Sequence, residues 1–166
     1  MTQKKRRLEE KEESEKYVKS ADTGSGITYP DWREVPWDKN RWPNFSPGEP
    51  NLACPLTGQF YFWPLAFDCL QGARNIVGEP FVINSGHRSP IHNAMVGGKP
   101  LSQHKKIAFD ISTLNHDRVN LYEALKQSGF TGFGFYQTFI HADLGRERRW
   151  FGGKLAEKIW TSLGIS

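Results

Sequence analysis

The chain has 166 residues, with 22 Lys and Arg against 18 Asp and Glu, a formal net charge of +4, and a mean hydropathy of -0.61. That length suits one core rather than several, and no apolar run approaches the ~18 residues of a membrane span. Cys54 and Cys69 are too few for a disulfide-stapled scaffold and lack the close pair spacing of a zinc ribbon.

Residues 1–26 open with MTQKKRRLEEKEESEK, which has no apolar stretch after its basic residues, so the expectation is synthesis in the cytoplasm without a secretory signal. With so little apolar surface the segment reads as a charged flexible arm. Residues 27–40 begin a Pro- and Trp-rich strap, YPDWREVPWDKNRWPNFSPGEP, in which the prolines block both helix and central strand. Residues 41–166 form the expected compact domain. Its first helix is predicted over Pro64 to Val77, with Leu65, Cys69, Ala73, Ile76 and Val77 at helical spacing and Gly78 as the stop. PFVINSG reads as a short buried strand. The polar stretch HRSPIHNAMVGGKPLSQHKK then forms a long connection of a kind that often carries function. IAFDIS alternates as a strand. A helix follows from Asn115 or Asp117 to Gly129, with Val119, Tyr122 and Leu125 on one face. GFGFYQTFIHADLG reads as a hairpin of two strands, and a last helix over about Lys154 to Leu163 carries Leu155, Ile159 and Leu163. Without a regular βαβ rhythm, the expected class is α+β with a small antiparallel sheet flanked by helices.

All five histidines, His87, His92, His104, His116 and His141, fall in the C-terminal two-thirds of the chain. Strand parity assigns faces to the polar residues among them. Ile107, Phe109 and Ile111 take the core side of one strand and leave Asp110 on the other; Ile140, Ala142 and Leu144 leave Phe139, His141 and Asp143. If the two strands are neighbours, Asp110, His141 and Asp143 converge. His104 joins them only if Lys105 and Lys106 turn the chain back, because six extended residues span about 20 Å. Two imidazoles and a carboxylate with an open fourth position make a suitable catalytic zinc set. From spacing alone, a scatter of unrelated surface histidines and an ordinary strand Asp remains an equal reading.

The words SGHRSPIHNAMVGG, SQHKKIAFDIS and GFGFYQTFIHADLG-RERRW, in that order after NFSPGE, resemble the zinc D-alanyl-D-alanine carboxypeptidase and murein endopeptidase family, in particular its small phage-type and bacterial members. The resemblance covers about Arg41 to Trp150 and implies the hedgehog/DD-peptidase fold. It also implies Zn2+ on His104, Asp110 and His141, with Arg88 in the cleft to meet a substrate carboxylate or the oxyanion. A planar guanidinium suits both tasks, while a loop-pinning role is its alternative. The chain departs from the family pattern Ser-x-His-x-x-Gly-x-Ala-x-Asp: Ser102, His104, Ala108 and Asp110 match, but the Gly is absent and the loop is one residue short. A weakened metal site or a re-registered loop is the expected consequence. A second departure puts Thr138 where relatives place a catalytic Glu or Asp. Asp143 is then the nearest candidate general base or orienting partner of the zinc water, against a purely structural role. His87, Ser102 and Tyr136 are the candidate substrate contacts, although a satisfied loop histidine is the stronger reading of His87. His92 fits a helix-start or loop-bonding role, and His116 a capping or solvated one.

The resulting expectation is a zinc metallopeptidase of D,D- or L,D-carboxypeptidase or endopeptidase type acting on peptidoglycan peptides. As an endolysin it reaches the cell wall after lysis or as part of a phage-like particle. The rival is a catalytically impaired cell-wall-binding or particle structural module of the same fold. Nucleic acid is a disfavoured partner, because only the pI and the tail argue for it.

Overall fold

A computed structural model of the chain describes residues 25–166. The expected charged arm falls almost wholly outside them. The strap enters as β1 (Ile27–Tyr29), which pairs antiparallel with β2 (Phe60–Phe62). Trp37 is the strap's anchor: its ring lies 4.7 Å from Trp42 and 4.9 Å from Phe67, in edge or tilted contacts that aromatic rings favour. Trp42 is wholly buried because its indole nitrogen is satisfied, donating to Asp68 Oδ1 at 2.9 Å.

The helices are α1 (Pro64–Val77), α2 (Pro90–Met95), α3 (Arg118–Gln127) and α4 (Lys154–Ser162). Proline at the first position and Gly78 in the left-handed region, at φ 76°, set the limits of α1 where the sequence places them. Its buried face differs from the expected one. Ala66, Phe67, Cys69, Leu70 and Ala73 face the core, whereas Leu65 and Ile76 are exposed, because Phe67 stacks on Phe60 and meets Phe109 and so turns the helix toward its own side. Asp117 caps α3 by accepting from Asn120 N at 2.9 Å. In α4 the core face is Ala156 and Trp160, and the expected Leu155 and Leu163 are exposed. Trp160 prevails since its ring lies 4.9 Å from Phe135 and its Nε1 donates to Tyr136 O at 2.8 Å.

The main sheet joins β3 (Ile83–Ser85), β4 (Phe109–Ser112), β5 (Gly132–Phe135), β6 (Phe139–Asp143) and β7 (Arg148–Phe151) in the order β3-β4-β6-β5-β7. The fold is α+β, as expected. One strand was not foreseen: β7 pairs parallel with β5, so this sheet is mixed, and its charged Arg-Glu-Arg-Arg lead-in hides the strand period. One sheet face carries Ile83, Phe109, Ile111, Phe133, Phe135 and Ile140 into the hydrophobic core. On the other, the pairings Ser85 with Asp110, Asp110 with His141, His141 with Gly134 and Gly134 with Trp150 set one row of residues across all five strands. Among the described residues no helix is long and apolar enough to cross a membrane.

Candidate metal centre

The row places Asp110 and His141 side by side on neighbouring strands, and a short 3-10 turn at Gln103–Lys105 delivers His104 onto them. Ser102 starts that turn, its Oγ accepting from His104 N at 3.2 Å, and Lys106 N closes it on Gln103 O at 3.0 Å. The short loop therefore brings His104 to Asp110 without the glycine of the family pattern, since no residue from 102 to 110 needs a positive φ. His87 completes the turn: its Nδ1–H donates to Lys106 O, its Nε2 meets the Gln59 amide at 2.9 Å, and its ring stacks on Tyr61. Burial pushes its pKa down, toward the neutral form. With 1% of its surface exposed and both ring nitrogens engaged, His87 sits as a satisfied loop histidine, the stronger of its two expected readings. Ser102 is likewise engaged as a backbone cap.

Three ligand atoms converge. His104 Nε2 lies 3.1 Å from Asp110 Oδ1 and 3.1 Å from His141 Nδ1, and the last two atoms are 3.0 Å apart. The opposite ring nitrogens fix the tautomers. His104 Nδ1–H donates to Gly86 O at 2.7 Å, and His141 Nε2–H donates to Asp143 Oδ2 at 2.6 Å. With both rings neutral, two imidazole lone pairs and a carboxylate oxygen therefore face one another with no donor between them, an arrangement that a cation, or in its absence an added proton, resolves. Zinc–ligand bonds of ~2.0–2.2 Å in a tetrahedron separate ligand atoms by about 3.3–3.6 Å, so the set closes around zinc after a shift of a few tenths of an ångström. All three residues are buried, and among the described residues they form the one cluster of this kind. Burial alone would raise the Asp110 carboxyl, but in the metal-free protein the hydrogen bonds that His104 and His141 give once a proton sits on a facing nitrogen outweigh it and hold it below the usual carboxylate range. Burial likewise opposes a charged His141, yet Asp110 and Asp143 on its two nitrogens push its pKa up in the metal-free protein.

Arg88 flanks the cluster. Its Nη2 is 3.8 Å from Asp110 Oδ2, while Nε donates to Ser85 Oγ and Nη1 to Asn93 Oδ1, each at 3.3 Å. Its side chain keeps 18% of its surface exposed, so it is not sealed in the core as Asp143 is. Asp143 lies behind His141, on the far side of the ring from the ligand atom. Arg148 grips both of its oxygens at 2.8 and 2.7 Å, and Gly145 N donates to Oδ1 at 2.8 Å. Burial would raise its pKa, but His141, then Arg148 and Gly145 N, overcome that effect and hold it low. Asp143 has no exposed side-chain surface, and both of its oxygens are engaged, an arrangement that suits the orienting role better than that of general base. Tyr136 is half-buried at the rim, stacked on Phe139 at 4.3 Å, with its hydroxyl accepting from Trp150 Nε1 at 3.0 Å.

The remaining histidines stand apart. His92 lies in α2 with Nδ1 3.6 Å from the sulfur of Cys54, and His116 Nε2 donates to Pro80 O at 3.1 Å. Both cysteines are free and buried. Sequence reasoning gave Asn93 a helix-start or loop-bonding role without its contact to Arg88, and missed Gly86 and Arg148. Asn93 is buried and spans from Arg88 to Lys99 O, to which Nδ2 donates at 3.0 Å. The signal for Gly86 is its place beside His87, where a Cβ would lie 2.5 Å from Leu52 O.

A family model described as Peptidase M15 matches residues 49–143, which hold Arg88, His104, Asp110, His141 and Asp143. No curated protein matches the chain.

Proposed function

Because the chain belongs to the Peptidase M15 family, we propose that it is a zinc-dependent peptidase that hydrolyses peptide bonds in peptidoglycan stem peptides or cross-links. The observation that carries this reading is the convergence of three ligand atoms, His104 Nε2, Asp110 Oδ1 and His141 Nδ1, on one buried point beside an arginine. His104 and His141 supply neutral nitrogens, and Asp110 supplies the one negative charge among the ligands. Bound zinc would provide Lewis acidity toward water and a peptide carbonyl. The other steps belong to the chain. Arg88, held by Ser85 and Asn93, meets the substrate carboxylate or the oxygen on which negative charge develops, and a guanidinium fixed in advance needs little reorganisation as that charge appears. Asp143 fixes the ring of His141 and keeps its proton on Nε2. Tyr136, whose hydroxyl accepts from Trp150 and retains its own proton as a donor, contacts substrate at the rim. The excess of basic residues favours an anionic wall polymer over a neutral one.

The test is digestion of isolated sacculi by zinc-loaded protein, with His104→Ala and chelator-treated protein as controls. Released peptides that disappear in both controls are the expected result. Stoichiometric zinc with intact sacculi would refute the peptidase reading.

A further inference from the structure

We propose that Arg148 is a positioning residue for the metal ligand His141, reaching it from the edge strand β7 across a track of two glycines in β5. The inference rests on the reading of His104, Asp110 and His141 as a metal site and concerns how that site is held in shape.

The geometry starts from register. Gly132 pairs with Asp143 on one side and Arg148 on the other, and Gly134 pairs with His141 and Trp150 in the same way. Neither glycine has a positive φ, so backbone conformation does not explain them. Glycine weakens a strand interior and often marks a close approach. Here the approach is lateral: a Cβ on Gly132 would lie 2.1 Å from Arg148 Nη1 and 2.2 Å from Asp143 Oδ1, and one on Gly134 would lie 2.5 Å from the Trp150 indole. Both side chains of β7 thus lie over a strand that has none on this face. Trp150 comes to rest with its ring 5.0 Å from that of His141, and the Arg148 guanidinium sits 4.9 Å from the Trp150 ring.

What Arg148 does there follows from its fork. Two parallel hydrogen bonds fix the plane of the Asp143 carboxylate, and Oδ2 of that carboxylate is 2.6 Å from His141 Nε2. A carboxylate held at two points orients the imidazole more tightly than one held by Gly145 N alone. Partners behind a metal-bound histidine commonly change metal affinity about 10- to 100-fold when removed. Lysine offers a single point charge in place of the fork and is not an equivalent replacement.

The experiment measures zinc affinity of the full chain by competition with a chelating dye, together with the visible spectrum of the cobalt(II)-substituted protein. Arg148→Ala is expected to weaken zinc binding about 10- to 100-fold and to shift the cobalt spectrum, with Arg148→Lys intermediate. Gly132→Ala should reproduce the loss with the arginine still present, because the new Cβ occupies the space where Arg148 Nη1 meets Asp143 Oδ1 and so parts the pair. Arg149→Ala, which removes an equal charge from the same strand near Tyr122, should leave zinc affinity within twofold of wild type. Thermal melts of the metal-free proteins report folding, and if Arg148→Ala does not fold, Arg148→Lys and Gly132→Ala decide. Folded variants at Arg148 and Gly132 that bind zinc as wild type does would overturn the proposal while the metal site stands. A wild-type chain that binds no zinc would overturn both.

Discussion

Replacing Asp143 by Asn probes the support of the site with almost no change in volume. The carboxylate accepts from four donors: His141 Nε2, Arg148 Nη1 and Nη2, and Gly145 N. An amide turns one of the two oxygens into a donor, and either orientation fails. With the amide nitrogen toward Oδ2's place, it confronts His141 Nε2–H and Arg148 Nη2; with it toward Oδ1's place, it confronts Gly145 N and Arg148 Nη1. The loss therefore includes at least two hydrogen bonds to charged groups, each worth ~1.5–3 kcal/mol, and a guanidinium left without its counterion. Breaking a buried pair costs about 3–5 kcal/mol. Arg148 keeps 24% of its side-chain surface exposed and recovers part of that by hydration, so a loss of ~2–4 kcal/mol is expected. For a chain of this size each kcal/mol moves the melting temperature by about 2–4 °C. Calorimetry of the metal-free protein should thus show a fall of roughly 4–16 °C, and zinc affinity should fall about 10- to 100-fold as His141 loses its fixed tautomer. A variant within about 0.5 kcal/mol of wild type that binds zinc equally well would refute the reasoning, because ordinary surface substitutions fall in that range.

The pH dependence of metal-free stability has a definite sign. The folded pKa values of Asp110 and Asp143 are depressed, so their contribution is full above the ordinary carboxylate value of about 3.9 and is lost as pH falls through the folded values. His141 is raised, so its contribution is full below about 6.5 and is lost as pH rises through its folded value. His87, kept neutral by burial, acts in the opposite sense: its contribution is full above about 6.5 and is lost as pH falls through its folded value. Denaturant titrations of chelator-treated protein should therefore give greatest stability at about pH 6.5; a stability that keeps rising from about pH 7 to 8 contradicts this. Zinc should abolish the alkaline decline, since binding displaces the proton of His141. At Gly98 an added Cβ would lie 2.0 Å from Asn93 Oδ1, the atom that holds Arg88. Gly98→Ala should destabilise by about 1–3 kcal/mol and lower peptidase turnover at least tenfold while zinc affinity stays unchanged; unaltered turnover would show that Asn93 does not position Arg88.

Period 2 carried the furthest information from sequence to site. Ile107, Phe109 and Ile111 are all buried core, and the same parity put Asp110 and His141 on the opposite face, where register makes them neighbours. His104 was legible as a third ligand only on the condition that the chain turn back at Lys105 and Lys106, because that turn is stabilised by Ser102 below and by His87 from another loop. Contacts between segments distant in sequence have no local signature. The role of Asp143 was open for the same reason: its partner Arg148 lies in a strand that no hydrophobic alternation announces, and a parallel pairing across Gly132 brings the two together. Helix limits were readable from Pro64, Gly78 and Asp117, whereas helix faces were not, because Phe67 and Trp160 choose their orientation by meeting rings on other elements.

X-ray absorption at the zinc edge tests the central claim most directly, with the purified chain loaded with one equivalent of zinc. Two imidazole nitrogens and oxygen donors at ~2.0–2.2 Å, with the signal of one imidazole lost in His104→Ala, is the result predicted for the cluster of His104, Asp110 and His141. A sulfur neighbour at ~2.3 Å, which Cys54 beside His92 would supply, or an unchanged spectrum in His104→Ala, would contradict it.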